Sequence, residues 1–238
     1  SWWGAGMRPK LAASTRAHGV PNRVRIIGGQ YRRRLLEFPG GDGLRPTPDR
    51  VRETLFNWLG QDLPGWVCLD LFAGSGALGF EAASRGAAQV LLVEQDAALV
   101  AQLKRVQEQL KATVVQVVRG DGLAALRHAS PGSLELIFLD PPFDSNLFEP
   151  AVQAAAPALT VTGFVYLEAP RRWLDAELQG LGLQLHRYLR AGTVHAHLLR
   201  RIDPVAGPAV VACCPAVAPR RQPSQIAALS VRDMGTSV

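Results

Sequence analysis

Asp70-Leu71-Phe72-Ala73-Gly74-Ser75-Gly76-Ala77-Leu78-Gly79 joins an apolar run, Trp66 to Phe72, to a helical stretch, Ala77 to Arg85. Glycines at a strand-to-helix junction let the backbone turn tightly and come close to a ligand. They do so at the carboxyl edge of a sheet, where α/β folds bind nucleotides. The next apolar run, Gln89 to Glu94, ends in an acid about 20 residues further on, a spacing suited to ribose hydroxyls. The expected cofactor cradle is therefore Phe72, Ala73, Gly74, Ser75, Gly76 and Gly79, with Glu94 and Gln95. The glycine spacing alone fits a nicotinamide-dependent oxidoreductase equally well. Asp70 argues otherwise, because a carboxylate is unhelpful beside a pyrophosphate and useful beside the cationic amino-acid part of S-adenosylmethionine. Asp121, after the third strand, is expected to accept the adenine amino group, with a helix cap as the alternative. Asp96 reads as the cap of its own helix.

Outward from this loop the chain alternates. Strands are expected at 89–94, 113–118, 134–139 and 163–168, with two more near 183–189 and 194–200. Helices are expected at 96–110, with Leu99, Leu103, Val106 and Leu110 on one face, at 122–128 and near 147–156. Upstream, Thr47-Pro48-Asp49 carries a cap, a first-position proline and a first-turn acid. It opens an amphipathic helix over 49–59, along which Val51, Leu55, Trp58 and Leu59 recur. Residues 24–38 suggest a β-hairpin. Alternating strands and helices predict a doubly wound α/β fold, a Rossmann-like parallel sheet covered on both faces.

Asp140-Pro141-Pro142-Phe143 follows the buried run Leu134 to Leu139. The exocyclic amine of a base is a poor nucleophile, because its lone pair is delocalised into the ring. The Asp140 carboxylate and the Pro141 carbonyl can both accept its hydrogens, steering the nitrogen towards tetrahedral geometry. Two prolines stiffen the loop, and Phe143 offers a face on which a base stacks, worth about 1–3 kcal/mol. This pattern points to amino-group methylation with no metal. It does not separate adenine, cytosine and guanine.

The 238 residues carry a net charge of +6, and no acid precedes Glu37 although Arg8, Lys10, Arg16, Arg23, Arg25, Arg32, Arg33 and Arg34 do. Such a segment is held to polyanions by counterion release. An Arg-rich, acid-poor start also resembles an organelle transit peptide. Apolar runs are too short to span a bilayer, so no membrane partner is expected. Three cysteines, Cys68, Cys213 and Cys214, form no disulfide framework or zinc spacing. A reducing, cytoplasmic setting and a monomer are expected. The division expected is a basic disordered arm over 1–22, a hairpin extension over 23–48, a methyltransferase domain over 49–202 and a disordered tail over 203–238.

Arg25-Ile-Ile-Gly-Gly-Gln-Tyr31, Gly43-Leu-Arg-Pro-Thr47, Asp49-Arg-Val-Arg-Glu-Thr-Leu-Phe-Asn57, the glycine loop and Asp140 to Phe143 occur in this order. Together they resemble the bacterial 16S ribosomal RNA guanine-N2 methyltransferase D family, over roughly residues 23–201. The resemblance implies a mostly parallel seven-stranded sheet and S-adenosylmethionine as methyl donor. It implies as substrate one guanine of 16S ribosomal RNA, in the assembling or assembled small subunit. It also assigns cofactor binding to the glycine loop and Glu94, and catalysis to Asp140, Pro141, Pro142 and Phe143. The segment from Arg45 to Glu53 is expected to border the pocket and the RNA, which Arg25, Arg32, Arg33, Arg34, Arg45 and Arg50 would contact. Its arginines otherwise form a solvated helix face. Arg33 stands where the family usually has glycine. His195, Ala196 and His197 replace the usual aromatics of the last strand, and the two histidines are expected as a solvated or base-proximal pair rather than metal ligands. A DNA or RNA adenine or cytosine amino-methyltransferase, and a non-catalytic RNA-binding assembly factor, stay open as alternatives.

Overall fold

A computed structural model describes residues 22–39 and 44–202. The basic arm up to residue 21 and the tail from 203, with Cys213 and Cys214, lie outside the described residues. The order is β1 (Asn22–Arg25), β2 (Leu35–Phe38), α1 (Asp49–Trp58), β3 (Val67–Asp70), α2 (Ala77–Ser84), β4 (Gln89–Glu94), α3 (Ala97–Leu110), β5 (Val115–Arg119) and α4 (Gly122–His128). It continues with β6 (Leu134–Leu139), α5 (Phe148–Ala158), β7 (Leu159–Ala169), α6 (Asp175–Gly180), β8 (Leu183–Ala191) and β9 (Val194–Arg201).

Seven strands form one sheet in the order β5-β4-β3-β6-β7-β9-β8. The pairs from β5 to β7 are parallel, whereas β9 runs antiparallel to both β7 and β8. The expected mostly parallel, doubly wound sheet is what the chain adopts. The strand order reverses between β3 and β6, and at such a switch point the loops after adjacent strands diverge and leave a crevice.

Both faces are covered because successive strand residues, which point to opposite faces, are nearly all apolar. On one face Cys68, Leu136, Phe138 and Tyr166 pack with α1, α2, α3 and the β1–β2 hairpin. On the other, Leu69, Ile137, Leu139 and Leu167 pack with α4, α5 and α6. Cys68 is fully buried, and burial pushes its thiol far up, consistent with a core residue.

The hairpin is held to the sheet domain by α2, through Ser84, which bonds Gly28, Gln30 and Tyr31, and through a buried acid. Glu81, fully buried on α2, accepts the backbone N–H groups of Ile27 and Gly28. It also pairs with Arg85 at 2.9 Å and Arg52 at 3.4 Å. Arg52 in turn donates to the carbonyls of Arg25 and Thr47. The alternative of a solvated arginine face on α1 is therefore excluded for Arg52, whose side chain is wholly buried. Burial pulls its guanidinium down, and Glu81 and Asp49 oppose that.

Other local expectations also give way. Thr47 does not cap α1; the cap position is Pro48, with no side-chain bond. On α3 it is Val100 that is buried with Leu103, Val106 and Leu110. Leu99 faces a cavity instead. Asp96 does cap α3, accepting from Leu99 N–H at 3.0 Å.

Candidate active site

A cavity of about 830 Å³ opens at the carboxyl ends of β3, β4, β6 and β7, roofed by Leu44 to Pro48. Phe72, Ala73, Gly74 and Ser75 line it, together with Glu94 and Gln95. Glu94 closes its edge by accepting Gly74 N–H at 2.9 Å on one oxygen, and the N–H groups of Gln95 and Asp96 on the other. A carboxylate offers about four lone-pair sites, so little of its capacity is left over in this arrangement.

Gly76 and Gly79 do not line the cavity. A Cβ on Gly76 would sit 2.5 Å from the Phe80 ring, and one on Gly79 would sit 2.1 Å from Leu92. Gly79 serves the close packing of α2 on the sheet, while Gly76, with φ +80°, makes room for Phe80 of α2 and Leu103 of α3. For Asp121 the structure shows the helix-cap alternative. It caps α4 by accepting Leu123 N–H at 2.9 Å and is absent from the cavity lining, where its neighbour Gly122 stands instead.

Asp70 sits at the cavity floor, 1% exposed, and its Oδ1 has no hydrogen-bond partner. Burial first, then the charge of Glu94, push its carboxyl up to about 7, while bonds from the N–H groups of Phe72 and Gly79 pull the other way. A buried acceptor without a donor is costly unless a ligand supplies one. An ammonium group fits that need, as the amino-acid end of S-adenosylmethionine would.

Asp140 follows the end of β6 and faces the same cavity, with Pro141 buried beneath and Pro142 and Phe143 exposed at the rim. Phe143 is 39% exposed and also borders a second cavity of about 630 Å³. Next to Asp140 stands a residue that sequence reasoning missed, Glu168 near the end of β7. It is 4% exposed and accepts from the Thr47 hydroxyl at 2.5 Å and the Tyr166 hydroxyl at 2.7 Å, both on Oε1. Asp140 stands beside Glu168, because the residues before them, Leu139 and Leu167, are register partners and both acids line the cavity. Burial, Glu168 and Asp70 hold its carboxyl well above the usual range. Burial and the same glutamate raise the Tyr166 phenol, which keeps its proton and remains a donor.

The predicted RNA contacts separate. Arg45 lines the cavity. Arg32, Arg33 and Arg50 are exposed, and Arg34 is exposed with one bond to the Gln109 carbonyl. Arg25 is committed to Asp49 at 3.0 Å. Arg33, in the usual glycine position, takes φ +68° and still closes the turn through its N–H to Ile26. The expectation of a solvated pair is corrected for His197, whereas His195 is half-buried. His197 is fully buried, accepts Trp173 N–H on Nε2 and presents Nδ1 to the Leu167 carbonyl. Burial lowers it to about 4, so it is neutral. His195 lies 2.5 Å from the Tyr188 hydroxyl.

Fold and pocket together define a Rossmann-like methyltransferase. The family model described as conserved hypothetical protein 95 matches residues 24–200. The ribosomal RNA small subunit methyltransferase D of Escherichia coli K12 is 39% identical over 196 residues, covering 77% of this chain and 93% of that protein. Its Haemophilus influenzae namesake is 46% identical over 132 residues, covering 54% and 68%. The solved structure of Escherichia coli yhhF, provisionally described as a methyltransferase, is 40% identical. It aligns with a TM-score of 0.65 over 76% of this chain and 99% of that one. The chain belongs to this family, that of the ribosomal RNA small subunit methyltransferases D.

Proposed function

We propose that the protein transfers a methyl group from S-adenosylmethionine to the exocyclic N2 of a guanine in 16S ribosomal RNA of the small subunit. The observation that carries this reading is the placement of Asp140 beside Asp70 and Glu94 in one cavity, with Phe143 open at its rim. A base seated on Phe143 presents its amino group to acceptors on Asp140 and Pro141. The names of the relatives carry the ribosomal RNA target.

Asp70 would hold the ammonium group, the Phe72 to Ser75 backbone would line the cofactor, and Glu94 would exchange some of its backbone bonds for ribose hydroxyls. S-adenosylmethionine supplies an electrophilic methyl on a cationic sulfur. Asp140 and Pro141 withdraw the amine hydrogens from the ring plane, so that the nitrogen lone pair is freed for attack. Pro142 stiffens the loop, so the two acceptors keep their positions while the base is seated. Arg45 at the rim, with Arg32, Arg33, Arg34 and Arg50, would meet backbone phosphates. Arg25 is left a smaller part by its ion pair.

The test is labelled methyl transfer into small-subunit RNA by the wild type and by Asp140→Ala. The expected outcome is transfer by the wild type, and a variant that binds S-adenosylmethionine normally yet transfers little. Full activity in the variant would remove Asp140 from the mechanism.

A further inference from the structure

Methylation of a neutral amine leaves one proton too many, and the cavity holds a pair of carboxyl groups arranged to take it. Leu139 and Leu167 are register partners, so the next residues, Asp140 and Glu168, stand side by side in the cavity wall, and the Thr47 and Tyr166 hydroxyls converge on Glu168 Oε1 from behind. Two donors on one oxygen leave the other oxygen for Asp140. Two carboxylates this close in a buried site cannot both ionise, so they share a proton.

We propose that Glu168 is the terminal proton acceptor of the reaction, reached through Asp140; this rests on the amino-methylation reading above. In the resting protein the pair holds one proton, which the scheme starts on Asp140, whose carboxyl is held well above the usual range. The N2 lone pair forms the new N–C bond as the S–C bond breaks, and the positive charge passes from sulfur to nitrogen. N2 then gives one proton to the free oxygen of Asp140, while Asp140 passes its own proton to Glu168. Both acids end neutral, N2-methylguanine ends neutral, and the extra proton leaves to water when the product departs. Glu168 touches neither base nor cofactor in this scheme, so it is a positioning and relay residue.

The charged and titratable groups around the pair are Asp70 at the end of β3, Glu94 beyond it on β4, Tyr166 on β7 and Arg45 on the roof. Opposite Glu168 on β9 is Ala196, and His197 is turned towards Trp173. The fully protonated pair accepts nothing, so kcat should fall as pH is lowered through its ionisation.

The experiment compares full-length wild type and Glu168→Gln on small subunits lacking the modification. The amide cannot take the proton. The expected result is a fall in kcat of about 10²-fold or more, unchanged affinity for S-adenosylmethionine, and displacement of the acidic limb of the pH profile to lower pH, where Asp140 ionises without Glu168 beside it. Wild-type kcat with the limb unmoved would overturn the proposal. If Glu168→Gln does not fold, Tyr166→Phe removes one donor from Glu168 and should move the limb to higher pH; an unmoved limb overturns the proposal. Infrared spectroscopy of the ligand-free protein at neutral pH should show a protonated-carboxyl band that Asp140→Asn removes, and the absence of that band also overturns it. A wild type that transfers no methyl to these subunits would instead sink the functional reading, leaving the infrared result to judge the shared proton by itself.

Discussion

The hydroxyl of Thr47, just ahead of α1, donates to the carboxylate of Glu168, 121 residues further along the chain. The bond ties the roof of the cavity to its floor. It also explains why Thr47 is not spent as a helix cap.

Thr47→Val keeps the shape and removes the donor. An acceptor left short in a buried site costs about 1–3 kcal/mol. Thermal unfolding should register that loss, and S-adenosylmethionine binding should weaken because the Leu44 to Pro48 roof is released. Unchanged stability and affinity would show that the bond is dispensable.

Asp70 makes stability depend on pH. Its folded value, about 7, lies above its ordinary 3.8. The folded state therefore binds the proton more tightly than the unfolded chain. The favourable contribution is complete below the ordinary value and is lost as pH rises through about 7, with a slope approaching about 1.4 kcal/mol per pH unit. Asp70→Asn should gain stability relative to wild type across that window in denaturant unfolding. A difference that does not change with pH would contradict the burial argument.

Gly122→Ala introduces a Cβ 2.1 Å from the Leu71 carbonyl oxygen, which is backbone and has no rotamer to change. The strain should cost about 1–3 kcal/mol or more and displace the start of α4 at the cavity wall. Lower thermal stability together with weaker S-adenosylmethionine binding is expected. Gly60→Ala is the control at a left-handed position with open space, where only the backbone is strained.

Reversing the charge of Arg32 and Arg50, both exposed, should weaken RNA binding. It should also flatten its dependence on log salt by about 0.7–0.9 for each phosphate no longer neutralised. The same change at Arg25 should move the slope less, because that side chain already pairs with Asp49. Equal slopes for all variants would place the RNA elsewhere.

Much of this fold was legible. The runs 89–94 and 134–139 coincide with β4 and β6, because a strand buried on both faces reads as an unbroken apolar run, and the stretch 122–128 coincides with α4. The six-residue α6 was missed, being too short to show a period. Glu168 was missed because one acid inside the apolar stretch Phe164 to Ala169 looks like any strand end. A signal did exist: acids stand at or beside the carboxyl ends of β3, β4, β6 and β7, as Asp70, Glu94, Asp140 and Glu168. Parallel strands bring those ends to one edge, so four acids repeated at strand ends predict one acidic pocket floor. Arg52 was beyond reach, since a helical arginine reads as solvated until Glu81 is placed against it. Asp121 takes the cap role that the sequence offered as an alternative, and the packing role of Gly79 was not legible until Leu92 was placed against it.

Methyl transfer to a ribosomal guanine is tested most directly by incubating the protein with methyl-labelled S-adenosylmethionine and small ribosomal subunits lacking the modification, then digesting the RNA to nucleosides. The expected result is label in N2-methylguanosine from a single position of 16S ribosomal RNA. Label confined to adenosine or cytidine, or transferred only to DNA, would contradict it.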